Sequence, residues 1–260
     1  MRRSIILITF AAVLVACVTS PMGRKQLSFF PDEQMDEMGV AAYAQAKKDT
    51  PSSTDSVVNR YVNCVAKAIT AEVTTGPTSW EVTVFNKDDV NAFALPGGKI
   101  GVYTGMLKVA TTQDQLAAVI GHEVAHVLAK HSNERVSTAY ATQSGLQLVE
   151  ALTGGAGKDN QNLMALLGLG AQVGVILPFS RTQESEADLM GLDLMAKAGF
   201  DPRASVELWK KMAAAGNGGP VFISTHPASG TRIKDLENRI PKAMTLYEQA
   251  RAQGKAPRCQ

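Results

Sequence analysis

The chain predicts an α+β fold, mainly helical, in which a small β-sheet precedes and abuts one strongly apolar helix. Helical spacing of apolar residues recurs along most of the sequence, whereas β-forming residues gather in Trp80 to Phe85, Ala92 to Leu95 and Lys99 to Tyr103. Directly after them, Thr112 and Gln115 make a capping box ahead of Leu116, Ala117, Val119, Ile120, Val124 and Leu128, which give one helix a wide apolar surface. With 260 residues, 45% apolar and 19% charged, the chain is long enough for one substantial core.

The N-terminus reads as a targeting segment. Arg2 and Arg3 precede an apolar run from Ile5 to Ala16, too short to span a bilayer and right for a signal sequence. Leu14-Val15-Ala16-Cys17 resembles the bacterial lipobox, in which residues 1–16 are removed and Cys17 takes lipid; an ordinary secretory signal before a structural cysteine is the alternative. Val18 stands where an Asp would suggest retention at the inner membrane. The expectation is therefore an outer-membrane lipoprotein facing the periplasm, or a soluble periplasmic protein if the signal is ordinary. Loss of Arg2 and Arg3 leaves 24 of the 26 basic residues against 24 acidic ones, and nothing suggests a nucleic-acid partner. Residues 17–30 read as a tether and 31–260 as one domain.

Within that domain, Pro31 opens a helix to about Lys48, acidic at its start and basic at its end as the helix dipole favours. A second helix spans about Asp55 to Val73. The sheet strands follow a Gly76-Pro77 turn and are divided by Pro96-Gly97-Gly98. Beyond the apolar helix, Asn133 to about Leu152 is helical, and Gly154 to Gly157 is a loop. Leu163 to Phe179 is almost wholly apolar; at the lower edge of membrane-span length, it reads as a core, lid or membrane-touching helix rather than a span. A helix carrying Glu184 to Ala198 comes next, then one from Asp201-Pro202 to before Gly216. Ser224 to Pro227 reads as a loop, and Gly230 to Arg239 and Lys242 to Gln253 as two amphipathic stretches. Cys64 and Cys259 are either a disulfide pinning the C-terminal tail or two unrelated thiols.

The apolar helix carries His122-Glu123-Val124-Ala125-His126. Imidazoles at this spacing are separated by about 40° of rotation and roughly 6 Å of rise, so both can face one ion. Glu123, about 100° round the helix from His122, lies beside the ion and can take a proton from water. Three of the four histidines, His122, His126 and His131, cluster here. A catalytic zinc needs a third protein ligand, and Glu184 is the candidate. Asp188 shares its helix face and can hydrogen-bond a ligand imidazole, although the pair also fits a solvated face. Glu186 should point away from the ion, and His131 reads as structural, capping the end of the helix.

In combination, His122 to His126, Glu184-Ser185-Glu186-Ala187-Asp188, Asn91-Ala92-Phe93-Ala94-Leu95-Pro96-Gly97-Gly98 and Thr225-His226-Pro227 resemble the HtpX-like zinc peptidases. The nearest look is to their periplasmic lipoprotein and BepA-like members, without the helical-repeat domain of the latter. The resemblance implies a zincin-like metallopeptidase domain with a gluzincin site. Its zinc (Zn2+) ligands are His122, His126 and Glu184, with Glu123 as general base and acid and Asp188 behind a ligand. Asn91, Ala92, Phe93 and Ala94 are implied to bind an extended substrate by strand addition. His226 is similar to a loop histidine that approaches the zinc, either stabilising the developing oxyanion or occupying the open position in a resting state, and Arg232 to an arginine near that pocket. The resemblance implies catalytic roles for both, and both also fit plain structural roles. The implied activity is zinc-dependent endopeptidase action on unfolded or misassembled envelope proteins, with the lipid as membrane contact. The rivals are a chaperone-like binding lipoprotein with a closed, inhibited zinc site, and a zinc hydrolase of envelope glycans or esters.

Overall fold

The structure, a computed structural model, describes residues 17–141, 167, 169, 179–214, 221–227 and 229–260. In chain order its elements are β1 (Cys17–Thr19), β2 (Lys25–Leu27), α1 (Asp32–Asp49), α2 (Ser56–Thr70), β3 (Glu81–Phe85), β4 (Ala92–Leu95), β5 (Lys99–Tyr103) and a 3-10 turn, Thr104–Lys108. There follow α3 (Gln113–Leu128), α4 (His131–Ala141), α5 (Arg181–Lys197), α6 (Arg203–Ala214), α7 (Val221–Thr225) and α8 (Gly230–Ala252). The α+β, mainly helical architecture read from the sequence is what these elements form.

Alternation along the strands divides the core in two. The sheet order is β3-β5-β4, with β3 parallel and β4 antiparallel to β5. Phe85, Phe93, Leu95 and Tyr103 pack with Met35, Ala42, Tyr43 and Ala46 of α1. Val84, Ala92, Ala94, Ile100 and Val102 face the opposite way, into the larger core with α2 and α3. The small side chains of Ala92 and Ala94 let the β4 backbone approach the helix that carries the histidines. Gly97 and Gly98 turn β4 into β5 at φ 76° and 70°, backbone that favours glycine.

Helix α3 is buried along nearly its whole length, from Leu116 through His126. Thr112 caps it by accepting the Gln115 N–H. Helix α5 crosses it at a contact that admits no side chain. A Cβ on Gly121 would lie 2.8 Å from the Gly191 carbonyl oxygen, and one on Gly191 2.6 Å from His122 N. This glycine pair holds the two helices close enough for their side chains to share one centre. At its start α5 has a full capping box, Ser180 with Gln183, so the helix carrying Glu184 begins at Arg181.

Three local expectations change. Residues 17–27, read as tether, form an antiparallel hairpin, β1 on β2, packed against the domain. The stretch holding Thr225 is a short helix, α7, because Phe222 is fully buried and its carbonyl accepts the His226 N–H. The two closing stretches are one helix, α8, continuous through Pro241, with Leu236 and Ala243 buried on either side of the proline. The helix expected from Asn133 to Leu152 starts at His131 and is described as far as Ala141. The Gly154 to Gly157 loop lies outside the described residues, as does the 163–179 stretch except Leu167, Leu169 and Phe179. Among the described residues no helix is long and apolar enough to cross a membrane.

Cys64 and Cys259 form a disulfide with a sequence separation of 195 and Cα atoms 5.6 Å apart. Closing a loop of that length restricts the unfolded chain by about 5 kcal/mol in the loop-entropy account. A Cys64→Ser/Cys259→Ser variant should lower the thermal midpoint by on the order of 10 °C, read by circular dichroism; no change would mean that the bridge does not form in the protein as made.

Candidate metal centre

His122, His126, Glu184 and His226 each offer a ligand atom within 4.8 Å of the others, and all four residues are buried. The helical period sets the first pair: the Nε2 atoms of His122 and His126 are 3.1 Å apart. Glu184 comes across the glycine contact from α5, with Oε1 3.4 Å from His126 Nε2 and Oε2 3.6 Å from His122 Nε2. His226, at the end of α7, places Nδ1 2.9 Å from Glu184 Oε1 and 3.2 Å from His122 Nε2.

Behind these atoms the hydrogen bonds fix which nitrogens carry protons. Asp188 Oδ1 lies 3.0 Å from His122 Nδ1, so His122 donates there and turns the Nε2 lone pair inward. Asp188 is in turn gripped by Arg232, Nε to Oδ2 at 2.6 Å and Nη2 to Oδ1 at 2.7 Å. Arg232 Nη1 also lies 2.6 Å from Glu184 Oε2, out of line for a hydrogen bond, and its guanidinium stacks 4.0 Å above the Trp209 ring. Arg232 is 3% exposed, so this cation belongs to the interior.

His131 does not cap α3. The last turn of that helix ends instead at Lys130, in the left-handed region at φ 56°, and Gln26 of the hairpin donates from Nε2 to the Ala129 carbonyl at 2.8 Å. His131 is fully buried, its Nδ1 2.9 Å from His126 Nδ1 and its Nε2 3.2 Å from Glu186 Oε2. With Nε2–H donated to Glu186, His131 Nδ1 accepts the His126 Nδ1–H, leaving the His126 Nε2 lone pair for the centre. Glu186 thus points away from the centre yet is only 5% exposed. Burial works to raise its carboxyl group, but hydrogen bonds from His131, Ser20 and Arg24 bring it down to about 2. The sequence clue to this pair was the histidine cluster itself; nothing in the spacing linked it to Glu186.

Glu123 is 3% exposed and stands beside the cluster, its Oε2 accepting the Ala94 N–H at 3.2 Å and its Oε1 3.5 Å from His226 Nε2. Burial raises its carboxyl group above the ordinary range. Burial also pulls the His126 imidazolium well down, favouring the neutral ring. Glu184 would be raised by burial, but His226 and His126 hold it well below the usual range, ionised. Burial alone would pull His122 down, but the Asp188 hydrogen bond and the charges of Glu184 and Asp188 raise it overall, as a ring facing carboxylates should be. Two imidazole Nε2 atoms facing an ionised carboxylate, with Glu123 Oε1 lacking any hydrogen-bond partner, make a donor set that fits a cation.

Asn91, Ala92, Phe93 and Ala94 lie along one side of the cluster, but not as an open edge. Asn91 O accepts from Tyr103 N inside the sheet, so the Ala94 N–H faces outward, where Glu123 takes it. Next to β4, Val90 O accepts the Phe222 N–H of α7. All four residues are 6% exposed or less. The rings of Phe222 and Phe179 stack on His226 at 4.5 and 5.2 Å, two neighbours that carry no sequence signal.

Residues 56–240 match peptidase family M48. The mitochondrial metalloendopeptidase OMA1 of Schizosaccharomyces pombe is 40% identical over 191 residues, 72% of this chain and 55% of its own length. The OMA1 of Saccharomyces cerevisiae is 38% identical over 180 residues, 66% of this chain and 50% of its own. The β-barrel assembly-enhancing protease of Escherichia coli K12 is 27% identical over 237 residues, 88% of this chain and 48% of its own. The chain therefore spans about half the length of these relatives. With mitochondrial and bacterial proteins both among them, the similarity supports a family broader than any lipoprotein branch. A match that runs through both helices of the buried cluster makes the chain a member of peptidase family M48, a family of metallopeptidases.

Proposed function

We propose that the protein is a zinc-dependent endopeptidase that hydrolyses peptide bonds in unfolded or misassembled envelope proteins. In this reading lipid at Cys17 anchors it to the outer membrane, facing the periplasm. The observation that carries the reading is the convergence of His122, His126 and Glu184 on one buried point beside an unpartnered Glu123 oxygen. These three residues would hold zinc, which when bound supplies Lewis acidity for water and for a peptide carbonyl. Asp188 and Arg232 keep His122 and Glu184 in register. Glu123 Oε1 takes the proton of the attacking water as the new C–O bond forms, and delivers it to the amine as the C–N bond breaks. Burial raises its carboxyl group, the direction that helps it hold the proton between the two steps. A substrate backbone laid along β4 would be read through Ala92 and Ala94, whose polar groups face away from β5.

A second reading, a closed and inhibited site, is favoured by His226. Its Nδ1 occupies a place among the ligand atoms, and α7 is tied to the residues just before β4 by the Phe222 to Val90 hydrogen bond. We take this closed arrangement as the resting state of the peptidase. The deciding experiment measures cleavage of an unfolded β-barrel protein by the full chain. Chelation should abolish cleavage and stoichiometric zinc restore it, and His226→Ala should raise the rate several-fold. Cleavage that survives chelation would overturn the peptidase reading, and a slower His226→Ala enzyme would overturn the resting-state reading.

A further inference from the structure

We propose that Arg24, Glu186 and His131 are positioning residues for the metal ligand His126, and that the N-terminal hairpin bearing Arg24 is a strap that sets how firmly the centre keeps its ion. The proposal rests on the reading of His126 as a zinc ligand. The path is continuous. Arg24 donates from Nε to Glu186 Oε2 at 3.1 Å, the same oxygen that receives His131 Nε2 at 3.2 Å, and His131 Nδ1 meets His126 Nδ1 at 2.9 Å. The backbone N–H of Met22 reaches the other Glu186 oxygen at 3.4 Å. A second arm of the same guanidinium holds Glu134 of α4, Nη2 to Oε2 at 2.7 Å, and Gln183 of α5 donates to that oxygen at 2.7 Å. One side chain on the strap thus clamps the starts of both helices that flank the centre.

An isolated exposed ion pair would be of little consequence. Here the Glu186 side chain is 4% exposed and His131 is fully buried, so the strap guanidinium, at 24%, closes an otherwise interior chain of hydrogen bonds. The strap is fastened elsewhere too: Gln26 caps the end of α3, the Phe29 N–H donates to Ser137 Oγ at 2.8 Å, and Asn133 Nδ2 donates to the Phe30 carbonyl at 2.7 Å. The hairpin begins at Cys17, so a pull or a cut at that end acts on the residues that orient a ligand. Partners of this kind behind a metal-bound imidazole typically change metal affinity roughly 10- to 100-fold.

The test is zinc affinity of the full chain by competition with a chromophoric chelator, alongside the histidine ¹⁵N spectrum. His131→Phe and Glu186→Gln should weaken zinc roughly 10- to 100-fold. Arg24→Ala should weaken it several-fold, with Arg24→Lys recovering part of the loss. In the parent the His126 signal should report a proton on Nδ1, and His131→Phe should abolish that assignment. At saturating zinc kcat should return toward the parent value in the Arg24 variants. Should His131→Phe fail to fold, Glu186→Gln and Arg24→Ala decide the matter. Affinities within twofold of the parent in folded variants would overturn the strap. A parent whose zinc affinity is unaffected by His126→Ala would instead overturn the ligand reading beneath it.

Discussion

Glu123→Gln should lower kcat/KM for an unfolded protein substrate by roughly 10³-fold while leaving zinc stoichiometry and thermal midpoint near those of the parent. The glutamine is isosteric, and its carbonyl oxygen can still accept the Ala94 N–H that Glu123 Oε2 accepts at 3.2 Å. What it cannot do is take a proton from water at the position of Oε1, the oxygen that has no hydrogen-bond partner. Replacing a buried, raised carboxyl group by a neutral amide adds no uncompensated charge, so the fold has no reason to suffer. Retention of more than a tenth of the activity would place the base elsewhere. Loss of zinc along with activity would put Glu123 among the ligands.

Arg232→Met should destabilise the zinc-free protein by about 3–5 kcal/mol, the scale for removing one partner of a buried ion pair. The side chain is 3% exposed and serves two carboxylates, Asp188 through a two-bond fork and Glu184 at 2.6 Å. It also donates from Nη1 to the Pro227 carbonyl at 2.9 Å, so the His226 segment loses a fastening as well. Methionine leaves both carboxylates in the interior without that cation. Zinc held by Glu184, as proposed, would restore part of the balance, so the deficit in urea unfolding should shrink when zinc is added. Arg232→Lys keeps the charge but neither the fork nor the stacking on Trp209, and should recover only part of the loss. A zinc-free loss below about 1 kcal/mol, the range of exposed pairs, would show that water already reaches this network.

The residues that could be placed from sequence are those governed by local geometry. His122 and His126 face one way because of the helical repeat, Thr112 caps α3 because its hydroxyl reaches the Gln115 N–H, and Ala92 to Leu95 is a strand flanked by a Pro-Gly-Gly turn. A histidine after a helix end has a ready local role, which is why the sequence points to capping; its partners, His126 of α3 and Glu186 of α5, reach His131 from two other helices. The single helix α8 was divided at Pro241 for the same reason: local propensity marks a break, while burial of Leu236 and Ala243 on both sides outweighs one missing hydrogen bond.

By itself the sequence determined the chemistry available on α3: two imidazoles on one face with a carboxylate beside them, on a helix whose apolar surface obliges it to be buried. Only the tertiary structure decided that Glu184 and His226 meet those imidazoles, that Arg232 spans Glu184 and Asp188, and that a hairpin at the N-terminus reaches Glu186. The reason is that spacing along a helix fixes direction only within that helix. Between helices, direction comes from how closely they pack, and here that is set by two glycines, Gly121 and Gly191, where any side chain would drive the centre apart.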